Sequence, residues 1–515
     1  MTALSEDHAT ATPKPHPSPR HSPTNLLLGL ALAAGAVLRI ARWWHWRALW
    51  LDEIYLARSI THRSLTGLLL HPLDDWQAAP AGFLATVYAI TRMLGDAERW
   101  LRLPSILFAL ASLPMMLAVS RRVLGKSGAV IALTAFSVLG PLIYYSNELK
   151  PYSCDVAASL AITLLALRWA ENPNARRTIA AAIIGGATIF FSFPAIFVLA
   201  GAGVWMLWKH RERNAIARAA IIFCAWAVAL AADYFLFIRP QASGDARPHL
   251  VQYWTAQNAF MPSDPVGAFR WLFPALSAIA ASPGAMWLAF PDVALIGLIV
   301  GSAIAFARRR DLLLVLAPLP MVLAASALHQ YPFADRLALF FVPQYLILIA
   351  AAVESLWTRL PAKVAAVAIA GLIILPSADR AWNLLLHPPG REESLPIYQW
   401  VAQRYRTGDE IYLSHFAEPS FDYYFPQSAW PLDLKSAGVL HIQPNLSEPR
   451  QVLEDAKTMS GHRRVWVILI HDFIGNMDFH TPTITAFNSI GHPLLQHSES
   501  GAWAGLYDCG KGSGN

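Results

Sequence analysis

Apolar runs recur along this chain from Leu26 to Pro376, and nothing else in the sequence restricts its fold as much. About 20 such residues in a helix cross a hydrocarbon layer of about 30 Å. Backbone at that depth must satisfy its own hydrogen bonds, which favours helices. With 55% hydrophobic and only 14% charged residues, the chain reads as a polytopic α-helical membrane protein. Its three cysteines, Cys154, Cys224 and Cys509, are too few and too dispersed for a disulfide framework or metal cluster.

Residues 1–24 carry Pro, His, Ser and Thr with little apolar content, and are expected to be a disordered cytoplasmic tail. Leu26–Leu38 lacks a following small-residue cleavage site, so it reads as a retained first helix rather than a signal peptide. Lys and Arg cluster in the connections 121–126, 171–177, 209–214, 307–311 and 358–363, with two apolar spans between successive clusters. Placing all five on the cytoplasmic side gives about eleven transmembrane helices, N-terminus in and C-terminus out. Within the outer loop 45–102, the apolar segment 78–94 then reads as an interfacial helix opened by Pro80. Arg39, Arg42 and Arg47 lie on the wrong side for this rule and invite an anionic partner.

After the membrane region, 25–378, the character changes. Residues 379–515 alternate amphipathic helices with strands: SLPIYQWVAQRY and PRQVLEDAKTM as helices, DEIYLSH, RRVWVILIHD and GAWAGLYDC as strands. The expectation is a small extracytoplasmic α/β domain.

Under this topology the unexplained polar residues converge on one face. Asp52 and Glu53 follow the first helix in LWLDE; Asp74, Asp75 and Gln77 precede the interfacial helix; Glu148, Lys150, Tyr152 and Asp155 lie between the third and fourth spans; Asp335 and Arg336 open the tenth. Ionisable groups at a membrane boundary mark functional sites by default. Asp52 and Glu53 equally suit the first turn of the helix IYLARSITHRSL, where acids oppose the helix dipole favourably. Arg336 at a helix start is disfavoured by that dipole, which an anionic ligand or Asp335 would offset. No GxGxxG, Walker, nucleophile-elbow or HExxH motif occurs, which argues against soluble nucleotide cofactors and hydrolases of those types.

At these residues the chain resembles the GT-C class of polyprenyl-phosphate-dependent glycosyltransferases, which includes protein O-mannosyltransferases and the aminoarabinose transferase of lipid A, and most of all an uncharacterised bacterial branch. The resemblance rests on LWLDEIYLA, QAAPAGF, LGDAERWLRLPS, SNELKPYSCD and YPFADRLALFFVP, in order over roughly residues 25–350. It implies an inverting transferase in the bacterial inner membrane, moving a sugar from a polyprenyl-phosphate donor to an envelope acceptor. Its partners would be that donor, the acceptor and membrane lipids, with no nucleic acid. Asp52 corresponds to the family's base and Glu53 would orient it or the acceptor. Lys150, Arg336 and Arg102 would serve the donor phosphate, Arg102 through contact or structure. Glu148, Tyr152, Asp155, Asp75 and Gln77 would position substrate, and Glu148 with Asp155 would hold a divalent metal if one is used. APAG stands where many relatives have a double proline, and Lys150 replaces an Arg, losing the bidentate fork for phosphate. The rival classes are a transporter or flippase of a lipid-linked solute, and an envelope assembly protein. Against transport, no internal repeat is visible and charges inside spans are few, Asp233 being the clearest.

Overall fold

The structure, a computed structural model, describes residues 23–242, 246–357, 360–388, 390–425, 430, 440–443, 449–471, 473–474, 477–478 and 480–510. The expected tail lies outside these up to residue 22, as do Thr358, Arg359 and residues 243–245. Pro23 and Thr24 already belong to the first helix.

Among the described residues six helices are long and apolar enough to cross a membrane: Pro23–Trp44, Leu103–Val123, Tyr152–Glu171, Arg213–Gln241, Asp335–Ser355 and Leu360–Leu386. A seventh span is formed if Lys126–Val138 and Gly140–Asn147, bent by 54° at their junction, count as one. Further apolar helices, including Ala195–Lys209, Pro265–Ala281 and Pro291–Ala307, have 10–17 residues, short of the usual span. The structure therefore supports a multi-helix membrane protein without fixing the expected eleven.

The bend at Leu139 has a local cause. Pro141 cannot donate a backbone hydrogen bond, so the ladder breaks there. Arg39 of the first helix takes up the freed carbonyls, donating to Phe136 O at 3.2 Å and Ser137 O at 3.1 Å. Gly35, one turn earlier, lets the helices meet: a Cβ there would lie 2.8 Å from Leu113 and 3.0 Å from Ser137.

The loop between the first two long helices folds into short helices. Leu51–His62 buries Leu51, Ile54, Leu56, Ala57 and Ile60, the period of a one-sided helix. Ala81–Leu94 follows Pro80 and ends at Gly95, whose φ of 91° suits a residue without Cβ. Its Gly82 amide donates to Phe190 O at 2.7 Å, so this helix abuts the tight turn at 190–194.

The C-terminal part holds a mixed five-stranded sheet. Its strands are β1 (Glu410–Leu413), β2 (Leu440–Ile442), β3 (Val465–Ile470), β4 (His492–Glu499) and β5 (Ala502–Asp508), in the spatial order β2-β1-β3-β5-β4. β1 pairs parallel with β2 and β3, and β5 antiparallel with β3 and β4. All six residues of β3 are buried, because both faces are covered. Trp466, Ile468 and Ile470 share a core with Ile54, Leu56, Phe83 and Leu84 of the loop helices. Val465, Val467 and Leu469 face a second core with Val452, Ala456 and Phe487. The sheet and the loop after the first helix are thus packed as one unit.

Candidate active site

Asp52 is the second residue of the Leu51–His62 helix, whose N-cap is Trp50. Its carboxylate is 27% exposed and lies 3.9 Å from the guanidinium of Arg336, itself 23% exposed. Arg336 also approaches Asp335 at 3.9 Å and sits over the Trp254 ring at 5.7 Å. Tyr145 and Tyr152 complete its surroundings. Asp52 thus has a guanidinium near it rather than a close hydrogen-bonded partner, whereas Glu53 beside it is tied to Arg102.

Lys150 enters the same space from the turn before the Tyr152–Glu171 helix. Its ammonium is buried and donates to Gln77 Oε1. Burial holds its pKa below the ordinary lysine range; Arg336 adds to that, and Asp52 opposes it. The turn is fixed from beneath by Ser105, whose hydroxyl donates to Glu148 O at 2.6 Å and Lys150 O at 3.1 Å. Asp75 lies on the rim at a φ of 51°, close enough to share the Tyr55 hydroxyl's surroundings with Asp52. Asp155 is buried in the helix below, with Oδ1 unpartnered.

Three expected site residues are engaged elsewhere. Glu53 accepts from Arg102 at 2.9 and 2.6 Å and from the Leu149 amide at 2.6 Å. Glu148 accepts from Arg47 at 2.7 Å and from the Trp50 indole at 2.7 Å. All four charges of this network are buried. Burial by itself raises the Glu53 carboxyl, but Arg102, Arg47 and the Leu149 amide outweigh it and hold it at about 2. Glu53 is therefore a fixed anion rather than a proton carrier.

Arg102 also donates to Arg47 O and Ala48 O, both at 3.0 Å. Of the two roles expected for Arg102, structural or phosphate-binding, these contacts support the structural one. Both Glu148 oxygens carry a hydrogen bond, and Asp155 is not among its partners. Among the described residues no group of three His, Cys, Asp or Glu side chains could hold a metal ion. The wrong-side arginines find their partners within the chain: Arg39 at the helix break, Arg42 over the Tyr144 ring at 5.2 Å, and Arg47 on Glu148.

Sequence reasoning missed the C-terminal contribution. His471, at the end of β3 with a φ of 57°, pairs through Nδ1 with Glu392. Burial lowers its pKa, but Glu392 more than compensates, so the value is raised; Arg391 opposes this and Asp52 assists it. A raised histidine stabilises the fold fully below the unfolded value of about 6.5, and that contribution fades as pH rises through the folded value. Glu392→Gln should therefore cost thermal stability at about pH 6 and progressively less toward about pH 9. A difference between the two proteins that grows with pH would contradict the assignment.

The chain aligns with crystal structures of ArnT from Cupriavidus metallidurans, one apo and one bound to undecaprenyl phosphate. In both the TM-score is 0.50 over 93% of this chain and 97% of that one, at 11% and 12% identity. The archaeal oligosaccharyltransferase AglB from Archaeoglobus fulgidus aligns over 94% of this chain and 74% of its own, at TM-score 0.49 and 12% identity. In sequence, residues 79–235 match the model of the dolichyl-phosphate-mannose-protein mannosyltransferase family. No curated protein matches the chain.

Proposed function

We propose that the chain transfers a sugar from a polyprenyl-phosphate donor to an acceptor on the outer face of the bacterial inner membrane, with inversion at the anomeric carbon. The observation that carries this is an acid, Asp52, set 3.9 Å from the guanidinium of Arg336, with the buried Lys150 near enough to feel both charges. The undecaprenyl phosphate bound by ArnT, whose fold this chain shares, supports a donor of that class.

Asp52 takes the proton from the acceptor hydroxyl or amine as that atom attacks the anomeric carbon. The bond to the phosphate oxygen breaks on the opposite side of the sugar, which inverts the configuration. Charge grows on the departing phosphate, where Arg336 and Lys150 stabilise the transition state more than the ground state. Tyr152, Gln77 and Asp75 orient the substrates around these three. Asp155, buried in the first turn of the helix that begins at Tyr152, positions the loop that carries Lys150. The outer α/β region contributes to acceptor choice.

Lys150→Ala and Arg336→Ala should each slow transfer by about 10²–10³-fold, as for other donors aimed at a developing anion. The reaction itself is tested by mass spectrometry of envelope lipids and glycans from cells with and without the chain. A glycan or lipid that loses one sugar in its absence, restored by the wild type, is the expected result. Identical profiles, with the protein shown to be in the membrane, would refute the proposal.

A further inference from the structure

The segment 46–50 carries the chain from the first helix to Asp52 without belonging to any helix or strand. Its backbone N–H groups need partners from elsewhere. The Trp50 amide finds Glu53 Oε2 nearby at 3.4 Å, but two others, and the first amide of the helix that follows, are held from more than 300 residues away. The Ala48 amide donates to Glu393 Oε2 at 2.9 Å, the Leu49 amide to Tyr424 Oη at 2.7 Å, and the Leu51 amide to Glu392 Oε2 at 2.8 Å. Arg391 stacks its guanidinium on the Trp50 ring, with Cζ 3.5 Å from the ring centroid. Tyr424 in turn donates to Glu98 Oε1 at 3.1 Å, and Glu392 pairs with His471.

From the membrane side the same five residues are held by Arg102 on the carbonyls of Arg47 and Ala48, and by Glu148 on the Trp50 indole. The two grips have different characters. The membrane-side grip is a buried charge network that keeps the fold together. The C-terminal grip acts on the amides immediately ahead of Asp52 and on the first free amide of its helix, where a carboxylate also opposes the helix dipole favourably.

We infer that Glu392, Glu393 and Tyr424 are positioning residues of the transfer site: the C-terminal region sets the location of the Asp52 carboxylate relative to Arg336, beyond any part it takes in acceptor choice. This inference rests on the proposed role of Asp52 as base. It assigns the sheet region a duty in the chemical step, through contacts with the backbone and without touching substrate. Displacing a reacting group by about 1 Å costs about 10²-fold in rate, so loosening the segment is enough to be felt.

The experiment uses the full chain in lipid nanodiscs with two readouts. The first is hydrogen–deuterium exchange of peptides covering 45–58. Glu392→Ala, Glu393→Ala and the milder Tyr424→Phe should each speed exchange at 48–51 by about tenfold or more. Glu392→Gln, which keeps an acceptor for the Leu51 amide, should restore most of the protection.

The second readout is turnover of the lipid-linked sugar identified by the envelope mass spectrometry above, together with affinity for undecaprenyl phosphate. The alanine variants should lose about tenfold or more in kcat while binding undecaprenyl phosphate as the wild type does, with Glu392→Gln again intermediate. Wild-type exchange at 48–51 in the alanine variants overturns the clamp. Faster exchange with unchanged kcat overturns its role in positioning Asp52. A wild-type chain that turns over no lipid-linked sugar overturns the transferase proposal instead, and the exchange data still decide the clamp.

Discussion

Asp52→Asn should yield protein that inserts, folds and melts like the wild type yet transfers sugar about 10²–10⁴-fold more slowly, the range for losing a general base. The expectation of normal folding follows from its surroundings. Asp52 is partly exposed, and its closest charge is a guanidinium at 3.9 Å, too far for a strong hydrogen bond. The amide of Asn is nearly isosteric and needs no new cavity. What it lacks is the ability to take a proton. Product formation by purified protein, normalised to the folded fraction from size-exclusion profiles, measures the effect. Retained activity would remove Asp52 from the mechanism.

Arg102→Ala should do the opposite, destroying the fold before the chemistry. It strands the Glu53 carboxylate in a site where every atom is buried, and breaking such a pair from one side costs about 3–5 kcal/mol. Loss of monodisperse protein in mild detergent, or a markedly lower melting temperature, is the expected outcome. Adding Glu53→Gln should recover part of that loss, since the buried charge then left with only Arg47 and the Leu149 amide is gone. The pair also predicts an acid dependence. Because the Glu53 carboxyl is held low when folded, its stabilising contribution is complete above its unfolded value of about 4.3 and disappears as pH falls toward about 2. Arg102→Ala that melts like the wild type would contradict this role.

Much of the local structure was legible in the sequence because hydrophobic period reports it directly. Leu51–His62, Ala81–Leu94, β1, β3 and β5 all lie where alternation or helical spacing places them. Helix count was less legible, since apolar segments of 10–17 residues look alike whether they cross a membrane or pack within protein. Asp52, Lys150, Gln77 and Arg336 were grouped by placing their segments on one face, and the structure sets Arg336 3.9 Å from Asp52 and Lys150 on Gln77. Which acids are free and which are spent was not legible. Glu53 differs from Asp52 by one position, yet that turn of about 100° aims it at Arg102 and away from the pocket. Arg47, noticed only as a charge on an unexpected side, pairs with Glu148 across 101 residues, a relation no local pattern encodes. The part played by Glu392, Glu393 and Tyr424 was invisible for the same reason.

Binding of undecaprenyl phosphate to the full-length protein in nanodiscs, compared among wild type, Lys150→Ala, Arg336→Ala and Asp52→Asn, tests the central claim most directly. If one pocket sets an acid against two phosphate-holding cations, each cation variant weakens binding by about tenfold or more. Asp52→Asn, relieved of an anion beside the phosphate, binds at least as tightly as the wild type. Equal affinity in all four proteins, or no binding by the wild type, would contradict that arrangement.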